Sequence, residues 1–160
     1  MTVDELIDAF QAAWSSRLRS AFASCCAVDV HYEDPLSGGA LEGLEALADH
    51  AARLWAAFPD VRVERAGARL TGGAAHQYVA APCRLVATHA GDLPRLPATG
   101  RPLSVHAVLY CELDPDRERL WRVRAFFDPY DAGVQLGVLP RHGTIGERAL
   151  LMLRGFGIRG

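Results

Sequence analysis

Asp128 closes an apolar run, Leu120-Trp121-Arg122-Val123-Arg124-Ala125-Phe126-Phe127, and the segment Gln135-Leu136-Gly137 begins seven residues after it. A carboxylate at the end of an apolar strand is costly to bury as an anion. Burial raises its pKa, which suits an acid or base working near neutral pH. The competing reading of this run is a solvated aspartate that opens the turn Asp128-Pro129-Tyr130-Asp131. Strict strand alternation puts Asp128 on the face of Arg122, Arg124 and Phe126, opposite Trp121, Val123 and Ala125. Either Arg124 shares a pocket with Asp128, which is the expectation adopted, or a bulge near Phe126 switches the face. His106 lies mid-strand and is either a pocket donor beside Asp128 or an outer-face residue in a contact between two copies. Tyr32 and Asp34 precede Pro35 at a strand end. Asp34 either caps the following turn or reaches a cavity mouth together with Tyr32.

Other site chemistries are missing from the sequence. No two of the six histidines have the i, i+4 spacing of a helical metal site, and Cys25, Cys26, Cys83 and Cys111 lack CxxC spacing. There is no nucleophile elbow, P-loop or dinucleotide fingerprint. Neither a metal nor a cofactor is expected. With a net charge of −2 and no basic block, nucleic acid is not an expected partner. No apolar run approaches the ~20 residues of a membrane span, and the acidic N-terminus does not read as a signal peptide. The expectation is a cytoplasmic protein with reduced, buried thiols.

The elements that must position these groups follow from periodicity. Thr2 and Glu5 form a capping-box pattern ahead of Leu6, Ile7, Phe10, Ala13 and Trp14 at helical spacing. A short helix is expected over 16–27 and a strand over 28–34. The clearest helix lies between Leu41 and Phe58, with a stripe through Leu44, Leu47, Ala48, Ala51, Leu54, Trp55 and Phe58, stopped by Pro59. That stripe is expected to supply most of the core, while His50 is read as lying off it. Strands are expected over 61–70, 75–88, 103–113 and 120–127. In the third, Leu103, Val105, Ala107, Leu109, Cys111 and Leu113 share one face. His76 and His142 read as turn or surface residues. At 160 residues the chain suits one domain, taken as 1–140, with a tail over 141–160 that docks as a short helix on the body or on a partner subunit.

Helices followed by consecutive antiparallel strands argue for an α+β fold. The order resembles the NTF2-like cone, a curved mixed or antiparallel sheet wrapped around N-terminal helices with an internal cavity. Four segments resemble the SnoaL-like polyketide cyclase family: Tyr32-Glu33-Asp34-Pro35; Phe58-Pro59-Asp60; Ala87-Thr88-His89-Ala90-Gly91 with Pro97-Ala98-Thr99-Gly100; and Asp128 with Gln135-Leu136-Gly137. The resemblance implies a cofactor-independent lyase or isomerase doing acid/base chemistry on a small hydrophobic carbonyl compound, with an aldol closure as the leading case. It implies Asp128 as acid/base, with His106 or Arg124 stabilising the oxyanion. Tyr32, Asp34, Trp55, Phe58, Phe126 and Gln135 are the expected substrate contacts, and a homodimer is the expected assembly. His89 is read as fixing its loop by hydrogen bonds. Phe126 stands where the family often has a tyrosine. The alternatives are a non-catalytic NTF2-like binding or association module, and an epoxide-hydrolase or ketosteroid-isomerase type of activity on the same fold. A deep cavity with Asp128 at its base would support chemistry, whereas plugging by Trp55, Phe126 and Phe127 would support binding alone.

Overall fold

The capping box anticipated at the N-terminus is formed. Thr2 Oγ1 accepts from the Glu5 N–H at 3.2 Å, and Glu5 Oε2 accepts from the Thr2 N–H at 2.7 Å. It starts helix α1, Val3–Ser16, which ends at Arg17 in the left-handed region. The structure, a computed structural model, describes residues 1–73, 77–116 and 118–154. The expected strand start at Ala75, His76 and the last six residues of the tail lie outside these.

A 3-10 turn, Arg19–Ser24, follows α1 where a short α-helix was expected. Then come β1 (Cys26–Glu33), β2 (Leu41–Glu42) and α2 (Gly43–Ala57). The expected strand over 61–70 is two short ones, β3 (Arg62–Arg65) and β4 (Leu70–Gly72), interrupted around Gly67. Three long strands complete the sheet: β5 (Tyr78–Thr88), β6 (Pro102–Leu113) and β7 (Leu120–Phe127). Two short helices follow, α3 (Pro129–Gln135) and α4 (Ile145–Leu153).

The sheet order is β2-β1-β7-β6-β5-β3, with β4 also on β5. All pairs are antiparallel except β1 with β7. This curved, unclosed sheet with helices across one face is an α+β fold of the NTF2-like cone type. Alternation along β6 holds as read: Val105, Ala107, Leu109, Cys111 and Leu113 are buried, while Ser104, His106 and Val108 face out. The irregularity in β7 sits at the opposite end from Phe126, where the register steps from Glu112↔Arg122 to Leu113↔Leu120 and leaves Trp121 unpaired. Alternation therefore runs unbroken from Arg122 to Phe127.

The core is shared more evenly than the sequence suggested. Leu6, Ile7 and Phe10 of α1 and Phe22 are completely buried, alongside Leu47 and Ala51 of α2. Leu54, expected in the core, is half-buried and lines a cavity. A second, smaller cluster gathers Ala57, Phe58, Ala87 and Leu136. The loop 90–100 is held against α2 because the N–H groups of Ala90 and Gly91 both donate to the Ala57 carbonyl at 3.0 Å. Within it, Leu93 and Leu96 exchange two backbone hydrogen bonds. The tail helix α4 has no buried residue. Its N-terminus is tethered through His142, which stacks on Tyr130 at 4.3 Å between ring centroids. No helix among the described residues is long and apolar enough to cross a membrane.

Candidate active site

A cavity of about 420 Å³ opens between the two hydrophobic clusters. Strands β5, β6 and β7 supply Leu85, Val105, Ala107 and Ala125. Helix α2 supplies Leu54, α3 supplies Ala132, and Leu136 follows at the C-cap of α3. Among its lining residues, only Trp14, Tyr32 and Asp34 carry a side-chain nitrogen or oxygen. The space is not plugged: Phe127 lines its wall, Trp55 is buried in the main core cluster and does not line it, and Phe126 is on the other face of the sheet.

Tyr32 and Asp34 reach this cavity by strand parity. Val30 and Tyr32 point inward from β1, and Asp34 continues the same parity one step past the strand end. Its Oδ1 accepts from the Leu36 N–H at 2.7 Å, so the capping role foreseen is also filled. Its Oδ2 accepts from the Tyr32 hydroxyl at 2.8 Å and from His50 Nε2 at 2.8 Å. The Asp34 and His50 side chains are each only 4% exposed. Burial pushes the Asp34 carboxyl up. The hydrogen bond and positive charge of His50, the Tyr32 hydroxyl and the Leu36 amide outweigh burial and hold it below its ordinary value of 3.8. Burial, followed by the neighbouring Asp34 charge, pushes the Tyr32 hydroxyl well above its ordinary range. The result is an anionic carboxylate set in the wall of an apolar cavity.

The expected catalytic residues are elsewhere. Asp128 is exposed and serves as the N-cap of α3: its Oδ1 accepts from the N–H of Tyr130 at 2.8 Å and of Asp131 at 3.2 Å, with Pro129 at the first helical position. Strand β7 stops at Phe127, and Asp128 sits between two cavity-lining residues, Phe127 and Pro129, without lining the cavity itself. Arg124 is on the convex face, 3.5 Å from Glu33, with both side chains nearly half exposed. His106 is exposed on the same face, opposite Arg84. Phe126, at 56% exposure, also faces out. Trp55 is a core residue that donates from Nε1 to the Trp14 carbonyl and stacks on Phe22. Gln135 is spent on the backbone: it accepts from the Ser104 N–H at 2.8 Å and donates to the Ser104 carbonyl at 2.9 Å. This clasp fastens α3 to β6 and so places Leu136 in the cavity wall. Of the expected contacts, Tyr32, Asp34 and Phe58 line the cavity.

His50 escaped sequence reasoning, although the signal was there: it lies three residues after Leu47 and four before Leu54, on the stripe itself. His89 is fully buried, and its Nδ1 accepts from the Thr99 N–H at 3.2 Å beside the Phe58 ring. It ties the two ends of the loop that carries Leu93 and Leu96. The four cysteines are free and buried.

The geometry can be set against known proteins. A family profile, that of SnoaL-like polyketide cyclases, matches residues 4–136. The chain belongs to the SnoaL-like polyketide cyclase family. Solved structures share this fold. TsrD from Streptomyces laurentii is 18% identical, with 86% of this chain and 96% of that one covered at a TM-score of 0.72. A SnoaL-like protein from Jannaschia sp. CCS1 is 18% identical, covering 86% and 92% at 0.72. IdmH from Streptomyces antibioticus, a candidate polyketide cyclase, is 21% identical, covering 84% and 98% at 0.69. No curated protein matches the chain by sequence. In this SnoaL-like chain the segment Gln135-Leu136-Gly137 is wall architecture. Gln135 clasps β6, Leu136 is buried, and Gly137 turns in the left-handed region with the Arg101 guanidinium where a Cβ would sit.

Proposed function

We propose that this protein catalyses proton transfer at a carbon next to the carbonyl of a small hydrophobic molecule, with Asp34 as the acid/base. The observation that carries the reading is the Asp34 carboxylate, held as an anion by His50 on the wall of an otherwise apolar cavity. Asp34 takes the proton from carbon, and the electron pair moves to the carbonyl oxygen as an enolate. The Tyr32 hydroxyl donates to Asp34 in the empty cavity, and once Asp34 has taken the proton it is free to turn its O–H to that oxygen. Return of the proton to a different carbon is a double-bond shift. Attack of the enolate carbon on a second carbonyl, whose oxygen then takes the proton from Asp34, is an aldol closure. His50 is a positioning residue that keeps the carboxylate ionised and oriented. A low pKa makes Asp34 a weak base in water, and exclusion of water by the bound molecule strengthens it.

A non-catalytic binding module is the second reading, favoured by the fact that both Asp34 oxygens already have donors in the empty cavity. Deuterium uptake separates the two. In heavy water the wild type is expected to exchange the protons next to the carbonyl of α-tetralone, and Asp34→Asn to lose at least about 100-fold of that rate while remaining folded. Undiminished exchange in Asp34→Asn would remove Asp34 from the chemistry, and background exchange by the wild type would leave the binding module.

The same reading includes a second copy on the convex face. Val108 and Phe126 pair across β6 and β7 there, both exposed, and the Tyr78 and Tyr110 rings stack at 6.1 Å. Sedimentation at tens of micromolar is expected to give about twice the 17.3 kDa chain mass. A single-chain species at that concentration would exclude the dimer.

A further inference from the structure

We propose that the cavity selects a hydrocarbon-rich molecule whose oxygen is confined to one end, and rejects polyoxygenated aromatic rings of the same size. This rests on the reading of Asp34 as the reacting group.

The polar atoms of the cavity are gathered at one place. Tyr32 and Asp34 are joined by a hydrogen bond, and the Trp14 ring lies 5.8 Å from the Tyr32 ring. The opposite side is built from the second hydrophobic cluster and its neighbours: Phe58, Leu93, Leu96, Leu103 and Leu136. No side chain there has a nitrogen or oxygen. The backbone offers nothing in compensation along the strands, where Val105 pairs with Leu85, Ala107 with Phe127 and Leu109 with Ala125 in the ladder. An oxygen carried into that side loses its water and finds no donor. Each such loss weakens binding by roughly tenfold or more. The polar side chains of the cavity, Trp14, Tyr32 and Asp34, all lie at the other end, and the reacting oxygens are confined there. At the density of a protein interior, a space of about 420 Å³ holds roughly 15–20 carbon-sized atoms. The favoured occupant is therefore a molecule of that size with a hydrocarbon body and a carbonyl end seated at Tyr32 and Asp34.

Two planar polycyclic probes of about 20 non-hydrogen atoms each test this by size-matched comparison. Benzanthrone carries a single ketone, and emodin, a trihydroxymethylanthraquinone, carries oxygens around its whole edge. Equilibrium dialysis with the full chain is expected to show benzanthrone bound at least about 100-fold more tightly. Leu54→Trp, which fills the cavity from α2, is expected to weaken benzanthrone binding at least tenfold. Ala132→Leu does the same from α3, should the first variant fold poorly. Equal or tighter binding of emodin would overturn the proposal. So would saturation by neither probe, or benzanthrone binding unchanged in folded cavity-filled variants. None of these results touches deuterium exchange by Asp34. Conversely, loss of the Asp34 reading in that assay leaves the binding preference measurable on its own.

Discussion

His50→Ala is expected to cost about 3–5 kcal/mol of folding stability, because it leaves the Asp34 carboxylate buried without its strongest partner. The pH dependence carries a second signature. In the wild type the folded-state value of Asp34 is held below 3.8, so its contribution is complete above that ordinary value and is lost as pH falls through the folded value. In the variant, burial is opposed only by the Tyr32 hydroxyl and the Leu36 amide, and the folded value rises. A folded value raised above the unfolded one reverses the dependence: the contribution is present at low pH and lost as pH rises. Urea unfolding between about pH 4 and pH 7 is therefore expected to show the gap between variant and wild type widening as pH increases. A cost below about 1 kcal/mol, or a gap independent of pH, would mean that the pair is not an ionised buried pair.

The second large effect is expected at Gly91. A Cβ built there meets the Ala56 carbonyl oxygen at 2.0 Å and its carbon at 2.9 Å, both backbone atoms at the end of α2. No side-chain rotation relieves such a clash. The loop 90–100 must move off α2, taking with it the two hydrogen bonds to Ala57 and the Leu93–Leu96 turn. Gly91→Ala is expected to destabilise by about 3 kcal/mol or more. Gly72→Ala, which meets nothing within 4 Å, is the control and is expected to change stability by less than about 1 kcal/mol. Thermal melts of the two variants side by side check the difference, and equal midpoints would contradict it.

The sequence made the scaffold readable because periodicity reports which face is apolar. The α1 stripe, the β6 alternation and the clearest helix were all visible this way. What it does not report is which of two apolar-flanked carboxylates has a buried partner. Asp128 and Asp34 each end a strand ahead of a proline. Asp128 caps a helix in solvent, whereas Asp34 meets a histidine sixteen residues on. That meeting depends on how α2 crosses the sheet, a tertiary fact with no local signature. Parity, followed strictly, held Arg124, Phe126 and His106 on one outer face. An inward Arg124 would go with Asp128 in the cavity, and neither lines it. Gln135 shows a related limit: its side chain, taken for a ligand contact, satisfies a strand backbone.

Strands β1 and β7 lie side by side in parallel, yet one begins the sheet in chain order and the other ends it. The polar centre of the site, Tyr32, Asp34 and His50, belongs to the first third of the chain, and much of the wall that dries it comes from residues 85–139. A nascent chain can thus bring the carboxylate and the imidazole together while both are still hydrated. Desolvation is expected to wait for the last strand to pair with the first. The electrostatic cost of the site falls late in folding, where it lowers the barrier to unfolding more than it raises the barrier to folding. The persistence time of the finished cavity, and not the speed of its assembly, is what the buried pair governs.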